Sequence, residues 1–351
     1  MTATRHFLLA AGGTGGHMLP AYALAGELIA RGHRVALVSD DRGLKIPGAP
    51  VELETHVLPA GRVSGGPVGW IKAALAIRKG RRLAIDLIDA FDPAVVVGFG
   101  GYPSLPSLLA AGTSKRPRVI HEQNALPGLA NKVAARFAKV VGVSFPDTPL
   151  AKARYLGLPV RRGIAELDVE ARRAEAREGF GLDPNRPTLL VSGGSQGAQS
   201  INQATQGARG RLLAAGIQVL HVLGPKNITE ADEAVTDPAT GARYVPVGYV
   251  DAMEDAYAAA DLMVGRAGAG TVMETATVGL PVIFVPLPHG NGEQARNAGF
   301  LVAGGAGLLV DNADFTADRM ATEVQALFAD PARLPAMRAA TRDLVPADAA
   351  G

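Results

Sequence analysis

The sequence predicts an α/β protein made of two Rossmann-like parallel-sheet halves, and three observations carry that expectation. Short apolar runs without polar alternation recur along the chain, the pattern of parallel strands buried on both faces. Two of them end in similar glycine-rich turns that open into helices. These are Phe7-Leu8-Leu9-Ala10-Ala11 before Gly12-Gly13-Thr14-Gly15-Gly16-His17, and Leu189-Leu190-Val191-Ser192 before Gly193-Gly194-Ser195-Gln196-Gly197-Ala198. The echo is a crude internal repeat in a chain of 351 residues, a length that suggests two domains of ~150 residues each.

The first half opens as a βαβ unit. An amphipathic helix is expected from about Leu19 to Arg31, capped by Gly32, and Arg34 to Ser39 forms the next strand. The first turn is not the dinucleotide pattern G-x-G-x-x-G, because Met18 stands at the last glycine position. Asp40 does end the second strand, where a ribose carboxylate would sit in a dinucleotide enzyme. His17 closes the loop at the strand's carboxyl end, where it acts either as a base or hydrogen-bond donor or as a capping residue.

The stretch from Gly66 to Leu83 holds the only tryptophan, Trp70, and five basic residues. Ile71, Ala74, Leu75 and Arg78 share one helical face. A basic amphipathic helix of this kind suits either an anionic membrane interface or the packed side of a core. Ala94 to Val97 is a strand ending in Gly98-Phe99-Gly100-Gly101-Tyr102-Pro103-Ser104. Arg118-Val119-Ile120 leads into His121-Glu122-Gln123-Asn124, a polar cluster too costly to bury unpaired. Pro127 and Gly128 open a helix, and Val140 to Val143 closes the half. Prolines 146, 149 and 159 with Gly157 mark a linker ending at Arg161-Arg162, which places the domains at residues 1–160 and 161–351.

In the second half, Val219 to Val222 and Tyr244-Val245 read as strands, and Asp251 as the cap of a helix. The central stretch is Arg266-Ala267-Gly268-Ala269-Gly270-Thr271-Val272-Met273-Glu274, between the apolar run Leu262-Met263-Val264 and Gly279-Leu280-Pro281. A strand, a small-residue turn and a helix N-terminus bring backbone N–H groups and a helix dipole to an anion. Glu274, about one turn in, either accepts from a sugar diol or is an ordinary first-turn acid. The strand Val282 to Val285 then leads through Pro286-Leu287-Pro288-His289-Gly290-Asn291-Gly292-Glu293-Gln294 into a helix bearing Asn297.

Composition removes several classes. A formal net charge of +2 gives no footprint for nucleic acid. The absence of cysteine excludes disulfides and thiolate metal sites and fits a reducing compartment. No His, Asp and Glu cluster has metal-ligand spacing, so neither a metal nor another cofactor is expected. The five-residue apolar run at Phe7 is too short for a signal peptide, and no run approaches the ~20 residues of a membrane span.

Taken together, Gly12 to His17, His121 to Asn124, Gly193 to Ala198 and the central stretch with Gln294 resemble the MurG family of GT-B glycosyltransferases, from about Arg5 to the final helices. The resemblance implies two Rossmann-like domains facing an interdomain cleft. It implies an inverting, metal-independent transfer of N-acetylglucosamine from UDP-N-acetylglucosamine to the muramyl 4-hydroxyl of undecaprenyl-linked lipid I, giving lipid II and UDP. The expected setting is peptidoglycan synthesis at the cytoplasmic face of the cell membrane, held peripherally on an anionic surface, with a cell-wall synthesis complex as partner.

Carried over by motif, the second half would bind the donor. Val250 would meet the uracil through its backbone, and Glu274 the ribose. Ser195, Ala269, Gly270 and Thr271 would hold the pyrophosphate with Arg161, and Gln294 the sugar hydroxyls. Thr14, Gly15, Gly16 and Asn124 would close on the donor from the first half, the acceptor domain. His17, Tyr102, Ser104 and Glu122 would line the acceptor side, with His17 and Glu122 both candidates for the base. Trp70, Ile71 and Leu75 would meet the membrane. Two positions depart from the family: Leu158 replaces an asparagine in the linker, and Glu293 replaces the first of two glutamines. The competing readings are another GT-B enzyme or a UDP-sugar epimerase, an NAD-dependent oxidoreductase, and a nucleotide-sugar sensor without turnover.

Overall fold

Period-two alternation sets the architecture. In β1 (His6–Ala11), Leu8 and Ala10 enter one apolar cluster while Leu9 and Ala11 enter another, so the strand is buried on both faces. The computed structural model describes residues 3–59, 66–194, 197–289, 291–341, 344–346 and 349–351, without the side chains of 67–73. It divides into two compact units, Met1–Arg162 with Asp348–Gly351, and Gly163–Ala347.

The first unit continues with α1 (Gly15–Ala30), β2 (Arg34–Ser39), β3 (Glu54–Val57), α2 (Pro67–Phe91), β4 (Val95–Gly100), α3 (Ser104–Thr113), β5 (Arg118–Glu122), α4 (Leu129–Ala134), β6 (Val140–Val143) and β7 (Ala153–Tyr155). Its seven strands run in the order β3-β2-β1-β4-β5-β6-β7, all parallel. The winding direction reverses between β1 and β4. In an open α/β sheet such a switch leaves a crevice at the carboxyl ends of the two strands, and ligands bind there.

The second unit contains α5 (Arg162–Ala165), α6 (Val169–Gly179), β8 (Thr188–Ser192), α7 (Gln199–Ala214), β9 (Gln218–Val222), β10 (Val235–Thr236), β11 (Arg243–Val247), α8 (Met253–Ala259), β12 (Leu262–Gly265), α9 (Ala269–Thr277), β13 (Val282–Phe284), α10 (Glu293–Ala303), β14 (Gly307–Leu309), α11 (Ala317–Ala329) and α12 (Arg333–Thr341). The sheet order is β10-β11-β9-β8-β12-β13-β14, parallel except where β10 pairs with β11. The switch lies between β8 and β12.

Three elements differ from the sequence reading. Helix α1 starts at Gly15 because the Thr14 carbonyl already accepts from His17 and Met18 N–H at 3.1 Å. His17 is therefore a first-turn helix residue. The expected linker contains an edge strand, β7, paired with β6. The N-cap of α8 is Ala252, without a side-chain bond, and Asp251 lies one residue too early to cap it.

A polar network is built into the second core. His221 is fully buried, with Nδ1 2.9 Å from the Tyr244 hydroxyl and Nε2 3.1 Å from Asn202 Oδ1. Burial pushes His221 down to about 4 and Tyr244 up to about 12. His121 in the first unit is lowered to about 4, also by burial, which outweighs its bond to the Gly157 carbonyl.

Both histidines lie below the ~6.5 of an unfolded histidine, so the unfolded chain binds more protons between pH ~6.5 and about 4. Their full contribution is present above that window and is lost as pH falls through it. Each costs about 2 kcal/mol of stability by pH ~5. The thermal midpoint is expected to drop between pH ~6.5 and ~5, before most carboxylates titrate. A flat midpoint there would contradict neutral buried histidines.

Candidate active site

At the first switch point the loops after β1 and β4 touch through backbone. A Cβ on Gly12 would stand 2.4 Å from Pro103 Cδ, and one on Gly101 2.6 Å from the Gly12 carbonyl oxygen. Asp40 anchors this loop. Its Oδ1 accepts from the N–H of Gly13 at 3.1 Å and of Gly43 at 2.9 Å, and its Oδ2 pairs with Arg42 at 2.8 Å. Burial alone would raise the Asp40 carboxyl, but these bonds outweigh it and hold it below the ordinary value. The expected ribose carboxylate of a dinucleotide site is thus committed to protein partners.

His17 sits over Gly100, where a Cβ would lie 3.2 Å from its Cε1. Its Nδ1 is 2.8 Å from Gln123 Oε1. The Gln123 amide nitrogen lies 2.9 Å from the His121 carbonyl and 3.2 Å from His121 Nδ1. His121 Nε2 reaches the Gly157 carbonyl at 2.8 Å. Gln123 and His121 are buried.

Glu122 is buried at the end of β5. It accepts from the N–H of Asn124 and Gly128, both at 3.0 Å, and from Asn131 Nδ2 at 2.9 Å. Both oxygens therefore pin the loop that follows. Ser104 is also buried, its hydroxyl oxygen accepting from Gly100 N–H at 3.4 Å beneath the glycine turn. Tyr102 is exposed. Thr14 and Gly16 are exposed, and Gly15 and Asn124 half-buried. Arg161 is half-buried, and its Nε has no hydrogen-bond partner.

Beside the second switch point, the loops after β8 and β9 repeat the device. A Cβ on Gly193 would meet Ala198 N at 2.4 Å, and one on Gly197 the Leu223 carbonyl oxygen at 2.5 Å. Across the switch, Gly268 caps α9, and Cβ atoms on Gly268 and Gly270 would meet nothing within 4 Å. The first turn of α9, Ala269 to Thr271, is thus approachable. One turn on, Glu274 Oε2 accepts from the Tyr257 hydroxyl at 2.7 Å.

Gln294 turns its oxygen inward, accepting from the N–H of Ala267 at 3.2 Å and of Leu287 at 2.9 Å, which leaves its NH2 as the group for a ligand. Asn297 donates to the Ala267 carbonyl at 3.2 Å. The Val250 side chain is buried. Ser195 lies outside the described residues.

Arg266 is a residue whose role the sequence left open. Its guanidinium donates to the carbonyls of Val285 and Pro286, to Asn312 Oδ1 at 2.7 Å and to the Ser200 hydroxyl at 3.0 Å. Its Nε is buried without a partner, burial lowers its pKa, and no carboxylate among the described residues pairs with it. Tyr257 and Asn131 were likewise missed as contributors, whereas Gln123 fell within the expected polar cluster. A tyrosine in an Ala-rich helix and an asparagine in a short helix were the only signals.

Along α2, Gly80, Ala84, Ile88 and Phe91 face the core. The opposite face exposes Leu75 (61%), Arg78, Lys79, Arg82 and Leu83. The side chains of Trp70 and Ile71 lie outside the described set. An open groove of about 660 Å³, bordered by Asp40, Arg42, Val57, Lys79 and Leu83, runs between this helix and the β3 edge.

Comparison with known proteins gives matches across both units. Residues 7–143 match the glycosyltransferase family 28 N-terminal domain and residues 188–349 the family 28 C-terminal domain. A protein of Cutibacterium acnes named UDP-N-acetylglucosamine--N-acetylmuramyl-(pentapeptide) pyrophosphoryl-undecaprenol N-acetylglucosamine transferase is 54% identical, over 98% of this chain and 94% of its own. A Nocardioides protein of the same name is 49% identical, over 97% and 94%. The crystal structure of Acinetobacter baumannii MurG superposes with a TM-score of 0.73 at 29% identity, covering 98% of this chain and 96% of that one.

Proposed function

The chain belongs to glycosyltransferase family 28, and from that premise we propose that it transfers N-acetylglucosamine from UDP-N-acetylglucosamine to the muramyl 4-hydroxyl of an undecaprenyl-pyrophosphoryl-N-acetylmuramyl-pentapeptide. Configuration inverts at the anomeric carbon, and UDP is released. The names of the relatives at 54% and 49% identity support the donor and the acceptor. The observation that carries the reading is the open first turn of α9, with Arg266 before it and Glu274 one turn beyond.

Departure of UDP places negative charge on the pyrophosphate. The N–H groups of Ala269, Gly270 and Thr271 and the Arg266 charge favour that anion without reorganising. Arg161 and Ser195 are assigned to the same group by motif. Glu274 accepts from the ribose while Tyr257 holds its other oxygen, Val250 meets the uracil through backbone, and the Gln294 NH2 donates to a sugar hydroxyl. Thr14, Gly15, Gly16 and Asn124 are assigned to the donor by motif, and Tyr102 to the acceptor.

His17 is the base. Its ring nitrogen takes the 4-hydroxyl proton as the oxygen's electron pair forms the bond to the anomeric carbon. The bond from that carbon to the pyrophosphate oxygen breaks, and its pair leaves with UDP. Glu122, with both oxygens committed to the loop, supports this site structurally.

The undecaprenyl chain requires work at a lipid surface. No described helix is long and apolar enough to cross a membrane. The exposed face of α2, with Leu75 among Arg78, Lys79 and Arg82, supports docking on an anionic leaflet, the cytoplasmic one, with Trp70 and Ile71 assigned to it by sequence.

Radiolabelled N-acetylglucosamine is expected to pass from UDP-N-acetylglucosamine to a short-chain acceptor analogue, with EDTA present. His17→Ala is expected to lower kcat by ~10²–10⁴-fold with little change in donor affinity, the usual contribution of a positioned base. A wild-type rate would remove His17 from the chemistry. Glu274→Ala should weaken donor binding by about 1–3 kcal/mol in calorimetry, and Tyr257→Phe by less. Unchanged affinity in Glu274→Ala would sink the ribose assignment. Leu75→Ser, combined with Trp70→Ser and Ile71→Ser, should lose binding to vesicles containing anionic lipid; retained binding would place the docking face elsewhere.

A further inference from the structure

We infer that Gln123 and His121 are positioning residues that hold His17 in the tautomer whose Nε2 carries the lone pair. This rests on reading His17 as the base. The direction of every bond follows from one end of the chain. The Gly157 carbonyl can only accept, so His121 Nε2 must donate to it across 2.8 Å. His121 is neutral, having been lowered to about 4 by burial, and therefore has no second N–H. Its Nδ1 is an acceptor, and the group it faces at 3.2 Å must be a donor: the NH2 of Gln123. The same NH2 uses its other hydrogen on the His121 carbonyl at 2.9 Å, which can also only accept.

The Gln123 amide is thus fixed with its oxygen toward His17. That oxygen, 2.8 Å from His17 Nδ1, accepts, so Nδ1 is the protonated nitrogen. In neutral His17 the lone pair is left on Nε2. The same Nδ1 edge of the ring lies over Gly100, where a Cβ would be 3.2 Å from Cε1 and 3.4 Å from Nδ1, so a side chain there would displace it.

The consequence is chemical. A neutral imidazole in water favours the tautomer with its proton on Nε2, which has no lone pair to offer from that nitrogen. The buried relay reverses this preference before substrate arrives, with both members nearly excluded from solvent, Gln123 at 1% and His121 at 6% exposure. Asn131 steadies the end of the relay by donating to the His121 carbonyl at 3.2 Å.

The test is nitrogen NMR of the full chain labelled in its seven histidines, with His17 assigned by its loss in His17→Gln. Wild-type His17 is expected to show a protonated Nδ1 and an unprotonated Nε2. Gln123→Leu should shift the proton toward Nε2 and lower kcat by at least ~10-fold, within the ~10²–10⁴-fold that a positioned base contributes, while the KM for UDP-N-acetylglucosamine holds. Gln123→Glu, which retains an acceptor for the Nδ1 proton but adds a negative charge, should keep Nδ1 protonated while raising the share of imidazolium. A wild-type spectrum with the proton on Nε2 would overturn the proposal, as would Gln123→Leu with tautomer and kcat unchanged. Should Gln123→Leu fail to fold, the wild-type spectrum alone decides. A wild-type rate in His17→Ala would sink the base reading instead, and the tautomer spectrum would still report on the relay itself.

Discussion

Both halves of this protein depend on backbone contact between loops that leave neighbouring strands, at the switch in sheet order in the first half and beside it in the second. At β1 and β4 the contact is Gly101 against the Gly12 carbonyl, and at β8 and β9 it is Gly197 against the Leu223 carbonyl, with Cβ clearances of 2.6 and 2.5 Å. Real Cβ atoms do not approach backbone that closely, so any side chain would push the loops apart. Gly101 and Gly197 also hold φ at +79° and +72°, which glycine adopts without strain. The absence of a side chain does two things. It seats the loops tightly enough to be rigid, and it leaves N–H groups at helix starts uncovered, as at Gly268 and Gly270.

Rigid glycine loops need support from below, and the polar residues around each crevice supply most of it. Asp40 is given to Gly13 and Gly43, Glu122 to Asn124 and Gly128, and the Gln294 oxygen to Ala267 and Leu287. Each is a side-chain acceptor satisfying backbone N–H groups that a sharp turn leaves without partners. A carboxylate near the site is therefore not by that fact a reactive one. Glu122 accepts from Asn124 and Gly128 in its own loop and from Asn131 on α4, and Glu274 Oε2 accepts from the Tyr257 hydroxyl on a helix face.

The sheet and its glycine turns were legible because buried parallel strands are continuous apolar runs and because turns of this kind need glycine. Edge strands β3, β7, β10 and β14 were not, since they are short and, at β3 and β10, largely exposed, with little periodic signal. Helix α1 began earlier than expected because glycines in its first turn masked a helix held by the Thr14 carbonyl. Residues that touch a ligand by motif were nameable from sequence. The pairings of those that act through a neighbour were not: Tyr257 lies 17 positions from Glu274, Gln123 lies 106 from His17, and Arg266 works through partners up to 66 residues away. Sequence separation hides such pairs, since only the fold brings them together. The departure at Leu158 removes a linker amide, yet the neighbouring Gly157 carbonyl is still held by His121.

That bond to Gly157 explains why the His17 support is neutral from end to end. A carboxylate beside His17 would orient the ring equally well, but it would add a buried charge and favour the imidazolium over the free base. A glutamine gives direction without charge. Its own direction must then be set, and only a group with fixed polarity can do that. The chain ends on a backbone carbonyl whose polarity cannot change, and it passes through a histidine kept neutral by burial down to about 4. A fully satisfied network in a low-dielectric interior is rigid, while any reversed member would leave two donors or two acceptors facing each other. The geometry at Gly157, φ +79°, is therefore tied through three hydrogen bonds to which nitrogen of His17 is basic.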